Sequence, residues 1–256
     1  MRYISPSLLR EYLFCPRSFF YRKFQNLSLI SLTKSNILAQ ERIDAFTSGF
    51  FSTLSMWNEE TSLKTQFDLE CLLKSKFFTH LDFYQMHGNQ TFRELDEKVF
   101  TLLLWLTDHL WGKNAPYDGQ IPYCTPVMVN EYIKAPEIQL QGRPSALFRQ
   151  SNDSFLIFIQ TFRQKLPHLS KKEFLQAAIY SRILQKMGIA AQDYLFVNYY
   201  SMDLIFKRLQ RIDFDRLDML LNDFRITMRE GNFDLPKNPP CKFCEFKWIC
   251  KEQSSQ

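Results

Sequence analysis

Residues 240–250 read Pro-Cys-Lys-Phe-Cys-Glu-Phe-Lys-Trp-Ile-Cys, which places Cys241, Cys244 and Cys250 in one short segment. Cysteines clustered in this way are typical of metal sites in proteins that keep their thiols reduced. A tetrahedral zinc ion and a four-iron cluster both need four ligands, so a fourth residue must come from elsewhere in the chain. The spacing of the three cysteines does not by itself distinguish an iron–sulfur cluster from zinc.

The fourth ligand is expected at Cys15, which is followed by Pro16 near the other end of the chain. A proline there ends or bends the preceding helix, so the thiolate can project from a turn. Cys71 lies in an apolar helical segment and Cys124 has no partner at ligand spacing, so both are less suitable. Ligands from both ends would be unusual for a compact zinc knuckle. On the chain-entropy model, closing so long a loop stabilises the fold by roughly 5 kcal/mol.

The composition is that of a folded protein with a slight excess of basic residues. Hydrophobic residues make up 45% of the 256 positions, which suffices for one sizeable domain, with or without a large insertion. The net charge of +5 permits contact with nucleic acid without indicating it. The N-terminus is too polar for a signal peptide and the apolar runs are too short to cross a bilayer. We therefore expect a cytoplasmic protein with no membrane association.

The hydrophobic pattern predicts helices first and strands later. Ser5 followed by Pro6 indicates the start of a helix that ends at Cys15. Further along, the pattern predicts strands over 127–134, 138–148 and 154–160, a helix over 173–186, strands over 194–200 and 204–209, and a helix over 214–229. This order predicts a mixed α/β fold. Its expected parts are an N-terminal segment (1–35), a helical region (36–125), an α/β core (126–232) and a cysteine tail (233–256).

Two terminal motifs resemble a known nuclease family. They are Leu8-x3-Tyr12-x2-Cys15-Pro16-Arg17-x-Phe19 and Pro240-Cys241-x2-Cys244-x5-Cys250. Together with the strand-rich middle they resemble the RecB-type iron–sulfur branch of the PD-(D/E)XK superfamily, which includes AddB-type repair nucleases and CRISPR adaptation nucleases. The resemblance implies a restriction-endonuclease-like mixed sheet flanked by helices, and a [4Fe–4S] cluster on Cys15, Cys241, Cys244 and Cys250 that staples the two ends together. It leaves 45–125 unaccounted for.

The resemblance also places a catalytic site whose residues are changed here. The family holds Mg²⁺ with a His, an Asp and a further acid, and carries a Lys two positions after that acid. Aligned by their neighbours, the four positions are occupied by Asp44, Ser145, Gln160 and Phe162. Ser145 and Gln160 carry no charge, so the resemblance implies neither bound Mg²⁺ nor catalysis. The Gln-x-x-x-Tyr motif that follows the catalytic strand is retained.

This motif consists of Gln176 and Tyr180, whose spacing of four puts both on one helix face. An ordinary amphipathic helix would show the same pair. The basic residues that could contact DNA phosphates lie partly among aromatic residues and are Arg17, Arg22, Lys23, Arg143, Arg163 and Lys165. Solvated surface charge would have the same appearance at any one of them.

The favoured interpretation is an inactive nuclease-fold protein of DNA repair, recombination or CRISPR-type processing. It would bind single-stranded DNA or duplex ends, or a protein partner such as a helicase or a processing-complex subunit. Two alternatives remain open. One is an active Mg²⁺-dependent DNA (exo)nuclease with relocated metal ligands, for which Glu131 is a candidate. The other is a protein-interaction module in which the four cysteines hold zinc.

Overall fold

The computed structural model describes residues 3–25, 101, 125–150, 153–161, 173–198 and 203–236 and, in the tail, Cys241, Cys244, Phe246, Lys247, Ile249 and Cys250. The predicted helical region 36–125 therefore lies almost wholly outside the described residues, and the division of the chain into four parts stays a prediction. Several single residues of interest also lie outside the described residues, namely Asp44, Cys71, Cys124, Phe162, Arg163 and Lys165.

Two short helices meet at Cys15. Helix α1 (Pro6–Phe14) begins as predicted, because the side-chain oxygen of Ser5 accepts a hydrogen bond from the Leu8 backbone N–H at 3.2 Å. Cys15 has an extended backbone and ends α1, and Pro16 then starts helix α2 (Pro16–Lys23). The sequence pattern predicted the end of α1 but not the second helix. Cys15 therefore lies at the junction of the two helices, where it is buried.

Seven strands lie in the described part of the chain. They are β1 (Thr125–Val129), β2 (Ile133–Ala135), β3 (Leu140–Gly142), β4 (Ala146–Arg149), β5 (Phe155–Thr161), β6 (Ala191–Asn198) and β7 (Asp203–Arg208). Five of them form a mixed sheet of order β1-β4-β5-β6-β7. Only the β5–β6 pair in this sheet is parallel. The predicted mixed α/β class is confirmed.

The centre of this sheet is its most apolar part. In β5 the run 156–160 is buried, and in β6 the run 194–198 is buried. Strands covered on both faces need such continuous apolar runs, since neither face meets water. The sequence prediction of a strand over 154–160 and of a buried interior strand from Tyr194 onward is confirmed.

Two predicted strands are each divided in two. The segment 127–134 is interrupted at Asn130, which turns the chain with a φ of 51°. The segment 138–148 is interrupted over 143–145. The pieces β2 and β3 leave the main sheet and pair with each other, and Ile4 joins them through a bridge to Leu140. Both predictions were wrong in their bounds. The first missed the turn at Asn130, because a left-handed turn at a non-glycine residue has only a weak sequence signal.

Two longer helices complete the described fold. Helix α3 (Glu173–Lys186) has the bounds predicted from the sequence and contacts β2, β3, β5 and β6. Helix α4 (Arg211–Glu230) starts slightly before the predicted range 214–229 and ends at Gly231, whose φ of 73° suits glycine. The Tyr12 hydroxyl joins α1 to α4, donating to Asp223 Oδ2 at 2.7 Å and lying 2.9 Å from Thr227 Oγ1.

Among the described residues, no helix is both long and apolar enough to cross a bilayer.

Candidate functional site

Two of the positions that the resemblance assigns to catalysis lie side by side at the middle of the sheet. Ser145 immediately precedes β4, and Gln160 is near the end of β5. The backbone N–H of Gln160 donates to Ser145 Oγ at 3.1 Å, and the backbone N–H of Ser145 donates to the Phe158 carbonyl at 3.1 Å. Both side chains are buried, with 9% of Ser145 and 6% of Gln160 exposed. The fold therefore brings these two predicted positions together.

Their chemistry differs from that of a magnesium site. Mg²⁺ prefers carboxylate oxygens and is held through one or two of them together with substrate phosphates. Ser145 offers a hydroxyl that already accepts a backbone hydrogen bond, and Gln160 offers a neutral amide. The pair supplies no negative charge. Asp44 and Phe162, the other two positions, lie outside the described residues.

Glu131, the candidate ligand of a relocated metal site, directly follows Asn130, whose backbone contacts Ser145. Asn130 donates its backbone N–H to the Ser145 carbonyl at 3.0 Å, and the Glu131 side chain is exposed. Within the described ranges, no group of three or more His, Cys, Asp or Glu side chains has an arrangement that could hold a metal ion.

The retained Gln-x-x-x-Tyr pair holds the segment that leads into Ser145. Gln176 Nε2 donates to the Tyr180 hydroxyl at 3.1 Å, which confirms that the two side chains share one face of α3. The Tyr180 hydroxyl in turn donates to the Arg143 carbonyl at 3.0 Å. Burial raises the pKa of Tyr180, so the hydroxyl remains a donor at neutral pH. The pair thus fixes the backbone two residues before Ser145.

Gly142 makes room for this arrangement. A Cβ built there would overlap Tyr180 Cε1 and would lie 2.9 Å from Tyr180 Cδ1. Because Tyr180 is buried and hydrogen bonded, its ring cannot easily move away. We expect Gly142→Ala to lower the free energy of unfolding by about 1–3 kcal/mol, as overpacking does elsewhere. Urea denaturation followed by circular dichroism measures this change.

A double-mutant cycle provides the control for the Gly142 prediction. In a Tyr180→Leu background the ring is absent, so Gly142→Ala should cost much less than it does in the parent protein. An equal cost in both backgrounds would contradict the contact between Gly142 and Tyr180.

All four predicted cluster cysteines lie among the described residues, Cys15 between α1 and α2 and the other three in the tail. All four are free thiols, and the most buried are Cys15 and Cys250, with 3% and 6% exposed. Burial raises the pKa of Cys15, the backbone N–H groups of Ser18 and Arg17 lower it, and the nearby thiols of Cys244 and Cys241 raise it again.

The pKa of Cys250 depends on burial, on a hydrogen bond and on other thiols, as that of Cys15 does. Burial raises its pKa, a hydrogen bond from the Tyr21 hydroxyl lowers it, and Cys244 and Cys15 raise it. Tyr21, Phe246 and Cys250 form a small buried cluster, in which the two rings lie 5.5 Å apart. The tail is therefore packed against α2 by the contact of Tyr21 with Phe246 and Cys250.

The donor set can be compared with what a metal centre needs. Two buried and two half-buried thiols, with backbone N–H groups near Cys15 and a tyrosine hydroxyl at Cys250, are ligands of the type that a thiolate-bound iron–sulfur cluster uses. Their positions do not by themselves form a metal-holding group. The residue types suit an iron–sulfur cluster, and the four sulfur atoms would have to move closer together to bind it.

The described DNA-binding candidates lie in two places. Arg17, Arg22 and Lys23 belong to α2, where Lys23 Nζ lies 3.4 Å from Glu11 Oε2. Arg143 is exposed beside Ser145 and donates from Nε to the Asn130 carbonyl at 2.8 Å. The other two candidates, Arg163 and Lys165, lie outside the described residues. One group is thus next to the cysteines and the other next to the Ser145–Gln160 pair.

Comparison with known proteins identifies the fold but no family. No family model matches the sequence, and no curated protein matches it. A crystal structure from Eubacterium rectale, named "Putative exonuclease", matches 96% of this chain and 87% of its own, with a TM-score of 0.50 and 9% sequence identity. A similarity at this level of identity concerns the fold alone. The chain therefore has a nuclease-like mixed α/β fold.

Proposed function

We propose that this protein is an inactive PD-(D/E)XK-type nuclease that acts as a DNA-binding or partner-binding subunit in cytoplasmic DNA processing. The observation that carries the proposal is the contact between Ser145 and Gln160 at the centre of a nuclease-like sheet. The backbone of Gln160 and the side chain of Ser145 are in contact, and neither residue has the carboxylate that the resemblance requires at its position. The supporting scaffold, Gly142 with Gln176 and Tyr180, is intact around them.

The loss of catalysis follows from charge. In a metal-dependent nuclease the cation orients the scissile phosphate and activates the attacking water, and protein carboxylates hold that cation in place. Ser145 and Gln160 can hydrogen bond to a phosphate or a base but cannot neutralise Mg²⁺. Phe162 also lacks the ammonium group that the resemblance places at that position. The retained scaffold can still present a surface to DNA or to a protein partner.

The proposed role of the four cysteines is structural. Cys15, Cys241, Cys244 and Cys250 would hold a [4Fe–4S] cluster, which would cross-link the turn at α2 to the tail. Tyr21 supports this arrangement by hydrogen bonding to Cys250 and packing on Phe246. The cross-link keeps α1 and α2 against α4, where Tyr12 and Phe19 pack on Phe224.

DNA binding is tested by fluorescence anisotropy with labelled single-stranded and duplex DNA in the absence of divalent metal. We expect binding whose log affinity falls linearly with log salt concentration, since phosphate contacts release counterions. Arg143→Gln should reduce that slope by about one. Arg208→Gln, on the edge strand β7, is the matched control and should leave the slope unchanged. Absence of binding to either DNA at low salt would contradict the DNA-binding role.

A further inference from the structure

An aromatic cleft lies where α2 meets the end of α4, apart from the Ser145–Gln160 pair. We use this name for the cavity of about 280 Å³ that is lined by Arg17, Phe20, Tyr21 and residues 231–234. Gly231 ends α4 in a left-handed turn and sends the chain back toward α2. This turn brings Phe233 to a ring-centroid distance of 5.0 Å from Phe20. Residues far apart in the sequence therefore form the two walls.

The cleft carries aromatic rings that the core does not bury. Phe20 lines the cleft and stacks on Phe24, which lies beside the cavity without lining it, with centroids 5.7 Å apart and ring planes at 23°. Phe24 is 49% exposed, and Phe20 and Phe233 are only partly buried. Stacked and partly exposed rings offer a flat π surface to a planar ligand, and base–aromatic stacking uses this kind of surface.

The polar residues of the cleft limit what it can hold. Arg17 brings a cation, Asp234 an anion and Asn232 an amide. A purely apolar partner would take the charges of Arg17 and Asp234 out of water without replacing their hydrogen bonds, which costs free energy. A nucleotide has a partner for each, since its phosphate suits Arg17 and the polar edge of its base suits the other two.

The size of the cleft agrees with one base. Sites for drug-sized ligands occupy roughly 300–1,000 Å³, so this cavity is at or below the low end of that range. A base inside a duplex is stacked and paired and cannot enter. The ligand must therefore come from a single strand, or from a frayed end.

We propose that the aromatic cleft binds one unpaired base of a DNA strand, stacked on Phe20 and Phe233, with the adjoining phosphate against Arg17. This proposal rests on the proposed DNA binding and specifies where a single strand would be held. Tyr21 lines the cleft and also hydrogen bonds to Cys250, so the strand would be held directly beside the cysteine tail.

The test uses full-length protein and a single-stranded oligonucleotide that contains 2-aminopurine, a fluorescent base that is quenched when it stacks. Quenching on binding to the unaltered protein reports stacking, and anisotropy measures the affinity for the same strand and for a blunt duplex. Phe20→Leu and Phe233→Leu keep apolar bulk and remove the π surface. Tyr132→Leu removes an aromatic ring that is 56% exposed and does not line the cleft, so it is the matched control.

We expect quenching with the unaltered protein. Each cleft variant that retains its circular dichroism spectrum should bind single strands about fivefold more weakly or worse, with unchanged duplex affinity and less quenching. The control variant should behave like the unaltered protein. Binding without quenching, or with equal affinities for all proteins, would overturn the cleft proposal and leave the DNA-binding role standing. Failure to bind any DNA would overturn both.

Discussion

Protein purified without oxygen is expected to be brown and to contain about four iron and four acid-labile sulfide atoms per chain. Cys250→Ser should remove both, because Cys250 is buried at the contact between the tail and α2 and is one of the four proposed ligands. Atomic absorption and a sulfide assay measure the two contents. Stoichiometric zinc without iron would contradict the cluster and favour a zinc-stapled protein.

Loss of the cluster should also affect folding. A cross-link over so long a loop is worth roughly 5 kcal/mol on the chain-entropy model, which is comparable to the whole stability of many domains. We therefore expect the Cys250→Ser protein to be insoluble or rapidly degraded by protease.

The controls for the cluster are Cys71→Ser and Cys124→Ser, which should keep full iron content and solubility. Iron lost from either control but retained in Cys15→Ser would show that the fourth ligand is wrong.

The second large effect is a gain of function. The triple variant Ser145→Asp, Gln160→Glu and Phe162→Lys should cleave DNA with Mg²⁺ at least about a hundredfold above background, because a bound metal contributes several kcal/mol to such reactions. The two carboxylates would replace the side chains of two residues that are already joined by the hydrogen bond from the Gln160 backbone N–H to Ser145 Oγ. A gel assay with end-labelled single-stranded and duplex DNA measures the product.

Binding of Mg²⁺, measured without any cleavage, distinguishes a wrongly placed metal site from a variant that does not fold. Two buried carboxylates repel each other until a cation binds, so Mg²⁺ should raise the melting temperature of the triple variant more than that of the parent protein. Ser145→Asn combined with Phe162→Lys is the matched control, since it carries the new lysine but neither of the two new carboxylates. A folded triple variant that neither binds Mg²⁺ nor cleaves DNA would contradict the placement of the site.

The parts of the fold that were predicted well have strong local signals. Helix α3 has apolar residues at helical spacing, and its bounds were predicted without error. The start of α1 was recognisable from Ser5 and Pro6, because capping depends on neighbouring residues alone. The apolar run in β5 is long enough that its pattern is unambiguous.

The parts that were missed depend on turns or on distant contacts. Pro16 ends α1 but also occupies the first position of α2, and a proline suits both roles. Asn130 divides the first predicted strand through its left-handed backbone conformation, which is difficult to recognise from the residue type alone. The contact of Phe20 with Phe233 joins positions more than half the chain apart, so no local pattern could indicate the aromatic cleft.

The candidate site also has features that the sequence predicted and features that it did not. The alignment by neighbours predicted that Ser145 and Gln160 would be close, and the fold places them in contact. The shared face of Gln176 and Tyr180 was also foreseen from their spacing. What Tyr180 holds, the Arg143 carbonyl, could not be predicted, because it depends on how α3 packs against the turn after β3.

The most direct test of the central claim is a cleavage assay on the unaltered, cluster-containing protein with end-labelled single-stranded and duplex DNA in Mg²⁺ or Mn²⁺. A nuclease fold with Ser145 and Gln160 in place of two acids predicts no product above the level seen with EDTA. Metal-dependent cleavage that Glu131→Ala abolishes would contradict the claim and show an active nuclease with a relocated site.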